Sequence, residues 1–192
     1  MNRKIILASA SPRRRELMLM LGFTNLEICP AKGEEKPLSD ARPEEIVKAL
    51  ARSKALEIAA ERGKNDLIVA ADTIVWLDGR LLGKPHSEEE AFIMLSQLSG
   101  RSHEVYTGVT LIDEYGELTE AERSIVHFRE LSSDEIRRYI ESGEPMDKAG
   151  AYGAQGKGAL FVRAIDGDFF NVMGLPLCRL GMMLARKGVT IL

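Results

Sequence analysis

KIILASASPRRR, residues 4–15, is the stretch around which the chain is organised, because an apolar run (Ile5, Ile6, Leu7, Ala8) passes directly into a helix start. Ser11 stands where an N-cap belongs and Pro12 where the first helical residue belongs, both favoured choices. Leu17, Met18 and Leu21 then supply an apolar stripe, and Gly22 closes the helix. Arg13, Arg14 and Arg15 occupy the first turn, where each cation faces the positive end of the helix dipole at a cost of about 0.3–1 kcal/mol. Strand, serine-rich turn, exposed N–H groups and guanidinium groups together describe a phosphate site. A solvated basic turn is the plainer alternative, and spacing alone does not separate the two.

The 192 residues suffice to bury a substantial core, in one domain or in two small lobes sharing a sheet. A chain that is 45% hydrophobic and 29% charged has ordinary globular composition, and its net charge of −3 carries no overall bias toward nucleic acid. Anion binding must therefore be local. No apolar run approaches the roughly 18–20 residues of a membrane span, and the run from Ile5 to Ala8 is too short for a secretory leader. Cys29 and Cys178 sit in apolar segments and are expected as buried thiols in a reducing cytoplasm. His86, His103 and His127 lack metal-ligand spacing, so structural or surface roles are expected of them.

Beyond the opening unit, Leu26 to Cys29 reads as a short strand, followed by a polar loop carrying Glu34 and Glu35. Taken alone, that acidic pair reads as solvated. Pro43, Glu44 and Glu45 open a long helix that runs to a Gly63 stop. Lys54 lies on it, and a snorkelling surface lysine is its plain reading. LIVAA (residues 67–71) shows no alternation and suits a strand buried on both faces. Asp72 is then expected at the strand's carboxyl end, where ligands bind in open α/β sheets. A carboxylate buried there needs a partner, which points to a functional role.

Asp78-Gly79 signals a tight hairpin, and Gly83 with Pro85 holds Lys84 on a rigid turn. Capping boxes at Ser87-x-x-Glu90 and Ser132-x-x-Glu135 open two further helices. Between them, strands over about 103–112 and 118–128 are expected to pair antiparallel. EPMDKAGAYGAQGKG (144–158) is glycine-rich, yet a mere spacer has no need of its Tyr152 and Gln155. Neither a Walker loop nor GxGxxG fits it. A strand over 160–164, a turn at 165–168 and a helix after Pro176 complete the chain.

LASASPRRREL, AADT (70–73), GKP (83–85), LSGRSHEVYTGV, GEPMDKAGAYGAQG and NVMGLP lie in order over about residues 4–178. Together they resemble the Maf family of nucleoside triphosphate pyrophosphatases, first linked to septum formation. The resemblance implies an α/β fold related to inosine triphosphatase, with an elongated mixed β-sheet flanked by helices. It further implies a single domain of two lobes around a central cleft, with about 84–144 forming the inserted lobe.

The resemblance places the catalytic proton acceptor at Asp72, the loop carboxylate at Glu35 (Glu34 being the alternative), and the catalytic lysines at Lys54 and Lys84. Ser11 and Arg13 fall on its phosphate-binding turn. Glu35 and Asp72, as hard oxygen donors, would hold Mg2+ or Mn2+ together with phosphate oxygens. One branch of the family acts on dTTP and UTP, another on 7-methyl-GTP. Arg13 after Pro12, Thr73 after Asp72 and Gln155 in the glycine loop resemble the pyrimidine branch. Gln155 offers both a donor and an acceptor to a uracil or thymine edge. Ala154 and Phe169-Phe170 depart from the family pattern.

The expectation is a cytoplasmic, homodimeric enzyme that hydrolyses pyrimidine nucleoside triphosphates to monophosphate and pyrophosphate. Neither polymeric nucleic acid nor a membrane is expected as a partner. Hydrolysis of 7-methyl-GTP is one alternative, and a non-catalytic nucleotide-sensing regulator of septum formation is another. A sensor has no need of Asp72, Glu35 and both lysines together.

Overall fold

The structure, a computed structural model, describes residues 4–33, 41–62 and 66–191. In chain order the elements are β1 (Ile5–Leu7), α1 (Pro12–Met20), β2 (Leu26–Ile28), α2 (Pro43–Arg62), β3 (Leu67–Leu77), β4 (Arg80–Leu82) and α3 (Glu88–Leu98). They continue with β5 (Ser102–Asp113), β6 (Gly116–Phe128), α4 (Ser133–Ile140), β7 (Val162–Asp166), α5 (Phe169–Met173) and α6 (Leu177–Arg186). Among the described residues, seven strands form one sheet in the order β2-β1-β3-β5-β6-β7, with β4 paired to β3. β1 runs parallel to β2 and β3, whereas β4 and β7 pair antiparallel with β3 and β6. The fold is thus the mixed α/β sheet that the motif order implies.

Residue contacts sort the chain into two compact units. The first comprises Met1–Asp72, Thr107–Glu122 and Gly174–Leu192, the second Thr73–Tyr106 and Arg123–Met173. This division differs from a single insert at about 84–144. Three of the four crossings fall inside β3, β5 and β6, strands of 11 to 13 residues, and the fourth falls between α5 and α6.

In the first unit, Ile6, Ala8, Ile68, Ala70 and Ile112 pack with Ala55, Ile58 and Ala59 of α2. Fully burying one such isoleucine is worth about 1.5–3 kcal/mol. Small alanines on this helix face allow close approach, and Gly108 of β5 marks the tightest point. A Cβ there would lie 2.2 Å from the carbonyl oxygen of Val47, so glycine is required. In the second unit, Val75, Leu77, Leu95, Val126, Phe128, Ile136 and Tyr139 belong to one core cluster.

Local signals are honoured to different degrees. The Ser132 box is complete: Ser132 Oγ accepts from Glu135 N at 3.3 Å, and Ser132 N donates to the Glu135 carboxylate at 2.9 Å. At α3 the box is half made, because Glu90 accepts instead from His86 N at 2.7 Å. Asp78 and Gly79 adopt φ of 49° and 79°, the left-handed pair that a two-residue hairpin needs. The last strand is Val162–Asp166, not 160–164, since Lys157–Phe161 winds into a 3-10 turn. Cys29 is half-buried and Cys178 exposed, so the expectation of two buried thiols fails; apolar neighbours in sequence do not bury a residue on the solvent side of its element. Among the described residues, no helix is long and apolar enough to cross a membrane.

Candidate active site

β3 does not end at Asp72. It continues through Thr73, Ile74 and Val75, whose β-branched side chains suit extended backbone, so Asp72 lies inside the strand. It is β1 that stops short: its last register partner is Val69, three residues before Asp72. Strand alternation puts Asp72 on the face of Ile68 and Ala70, which Ala55 and Ile58 of α2 cover. Lys54 precedes Ala55 and lies one turn before Ile58, so the same packing carries it to Asp72. Lys54 Nζ donates to Asp72 Oδ1 at 2.5 Å, with the two side chains 16% and 8% exposed. The snorkelling reading of Lys54 is overturned, because its ammonium is the charge partner that a buried carboxylate requires.

At the β1–α1 turn, Ser11 (φ −65°, ψ 118°) caps α1 and its Oγ accepts from Arg14 N at 3.5 Å. Ser9 is buried, and its Oγ accepts from Ser11 N at 3.2 Å and from Arg14 Nη1 at 3.1 Å. Arg14 Nε also donates to the Gly174 carbonyl at 2.8 Å. Arg14 therefore clamps the turn, while Arg13 is half-buried and Arg15 exposed. Three consecutive arginines are indistinguishable by type, and Gly174 is 160 residues away, so no local signal marks Arg14.

Thr73, Lys84 and Gln155 belong to the second unit, where Thr73 is half-buried and the other two are exposed. Gly150 N donates to the Gly83 carbonyl at 2.9 Å, which ties the turn bearing Lys84 to the glycine-rich loop. Gly150 has φ 68°, and a Cβ there would come 3.0 Å from Val75. His103 is buried beneath this loop with Nε2 at 2.7 Å from Tyr152 Oη. Burial, helped by His127, pushes the His103 pKa down to about 3, leaving a neutral, structural imidazole. Glu35 and its alternative Glu34 lie outside the described residues. The structure thus joins Lys54 to Asp72 and sets Ser11 and Arg13 at one helix start.

Asp72 is a hard oxygen donor with one oxygen already engaged by Lys54. Among the described residues, no three His, Cys, Asp or Glu side chains gather as an all-protein metal cage. The Asp72 carboxylate is the kind of hard oxygen donor that divalent cations such as Mg2+ take alongside phosphate oxygens and water.

The mixed sheet and its flanking helices form an α/β fold shared with a HAM1 protein from Coxiella burnetii. That structure superposes with a TM-score of 0.52 at 17% identity, over 96% of this chain and 99% of the other. The family model described as Maf-like protein matches residues 4–187, and the chain belongs to that family. A protein of Syntrophomonas wolfei named dTTP/UTP pyrophosphatase is 51% identical, over 97% of this chain and 98% of its own. One of Methanococcoides burtonii bearing the same name is 47% identical, over 98% and 97%.

Proposed function

We propose that this protein is a dTTP/UTP pyrophosphatase, releasing pyrophosphate and a nucleoside monophosphate. The reaction reading is carried by the Lys54–Asp72 pair, a buried carboxylate held by a cation in a chain closely similar to proteins of that name. Water attacks the α-phosphorus as Asp72 takes its proton; the new bond is O–Pα, and the Pα–O bond to the β-phosphate breaks. Lys54 orients Asp72 and offsets its charge, and Arg14 keeps the serine turn in shape. Ser11 and Arg13 bind phosphate oxygens at the start of α1, and Lys84 neutralises charge growing on the leaving pyrophosphate. A divalent cation, when bound by Asp72 and Glu35, supplies further neutralisation of the triphosphate. Gln155 reads the pyrimidine edge and Thr73 borders the base. A homodimer in the cytoplasm completes the reading, and free Cys29 and Cys178 suit a reducing compartment.

The test is a nucleotide panel with Mg2+ (dTTP, UTP, ATP, GTP and 7-methyl-GTP), wild type beside Asp72→Asn, scoring pyrophosphate and orthophosphate separately. Pyrophosphate from dTTP and UTP, falling by about 100-fold or more in the variant, is expected. Binding without turnover would replace the enzyme with a sensor, and turnover of 7-methyl-GTP alone would move the chain to the other branch.

A further inference from the structure

The glycine-rich loop is tied down by two side chains to which the mechanism gives no part. Tyr139 of α4 is 4% exposed, and Glu144 lies just beyond that helix. Glu144 Oε2 accepts from Lys157 N at 3.0 Å, and Oε1 from Gly158 N at 3.1 Å. Tyr139 Oη donates to Glu144 Oε1 at 3.0 Å and accepts from Gly153 N at 3.2 Å. These bonds fasten both arms of the segment 153–158. The arms themselves close tightly: a Cβ on Gly158 would lie 2.4 Å from the Gly153 carbonyl oxygen. Gly156, with φ 86°, brings backbone against Glu144, its added Cβ meeting Oε2 at 2.9 Å. Gln155 sits exposed at the tip of this closed segment. Burial works to raise the Glu144 pKa, but the Gly158 and Lys157 amides and the Tyr139 hydroxyl outweigh it and hold the group below the usual carboxylate range.

We propose that Glu144, together with Tyr139, is a positioning residue for base specificity: it holds segment 153–158 so that Gln155 is presented to the pyrimidine in one orientation. The physical basis is pre-organisation. An amide side chain discriminates bases only if its donor and acceptor are held in place, and three donors converging on one carboxylate supply that rigidity. Glu144→Gln preserves volume but turns an NH2 toward at least one N–H or O–H donor. The inference rests on the proposed role of Gln155.

The experiment measures steady-state hydrolysis of UTP and ATP by the full chain, with inorganic tripolyphosphate as a competitive inhibitor that has no base. Glu144→Gln should lower the UTP-over-ATP preference about tenfold, the scale of one charge-assisted hydrogen bond, chiefly through the KM for UTP. Tripolyphosphate inhibition should stay within about twofold of wild type. Adding Gln155→Ala to Glu144→Gln should cause little further loss, since both act on one contact. Tyr139→Phe should move preference in the same direction and carries the test if Glu144→Gln does not fold. Equal weakening of UTP and tripolyphosphate, or fully additive losses, would overturn the proposal while leaving Gln155 as the base reader. A Gln155→Ala variant with unchanged preference would overturn that role and this proposal together. A wild type inactive on every triphosphate would instead refute the hydrolase reading itself.

Discussion

Replacing Lys54 with methionine keeps most of the aliphatic stem and removes an ammonium 2.5 Å from Asp72 Oδ1. At that separation and an effective dielectric of about 20, the gross attraction is roughly 6–7 kcal/mol. Dehydration of both groups offsets much of it, and Lys54 retains 16% exposure, so the net loss should fall near the lower end for breaking a buried pair, about 3 kcal/mol. For a chain of 192 residues each kcal/mol moves the midpoint by about 2–4 °C, which predicts a Tm lowered by roughly 6–12 °C. Thermal unfolding followed by circular dichroism measures this directly. Adding Asp72→Asn to Lys54→Met removes the stranded charge and should restore more than half of the loss. A fall below about 2 °C, or a double variant no more stable than Lys54→Met, would show that the two charges do not compensate one another.

Two further outcomes follow from the packing. Gly108→Ala drives a methyl group to within 2.4 Å of the Val47 carbonyl carbon, so α2 must shift; a loss of about 3 kcal/mol or more is expected in urea unfolding. Because α2 carries Lys54, pyrophosphatase activity should fall with it. His103 stays neutral in the fold down to about pH 3, whereas the unfolded chain protonates it near pH 6.5. Its contribution is therefore complete above pH 6.5 and lost as pH falls toward 3, by at most about 1.4 kcal/mol per pH unit. His103→Phe should flatten that part of the stability–pH curve even though the variant starts from lower stability, and an unchanged slope would contradict the burial argument.

What was legible in the chain depended on range. The Ser11–Pro12 helix start, the Asp78–Gly79 hairpin and the Ser132–Glu135 box are settled by bonds between near neighbours, and all three form. The Ser87–Glu90 pattern is a caution of the same kind: the glutamate reached one residue further back, to His86 N, because the direction of the incoming chain is not written in the pattern. The motifs at Ser11, Asp72, Lys84 and Gln155 sufficed to point to the Maf family, whose model spans residues 4–187.

Residue order alone specifies the local turns, the buried character of residues 67–71 and the family. Tertiary structure decided which groups meet. Lys54 reads as a surface lysine until α2 packs on the face of β3 that carries Asp72. Arg14 is one of three equal arginines until Gly174 arrives from 160 residues away. Glu144 is one acid in a polar loop until the backbone folds back and offers it the Lys157 and Gly158 amides. Periodicity records that a face is buried but not what covers it, and a charge acquires its partner only when that cover is in place.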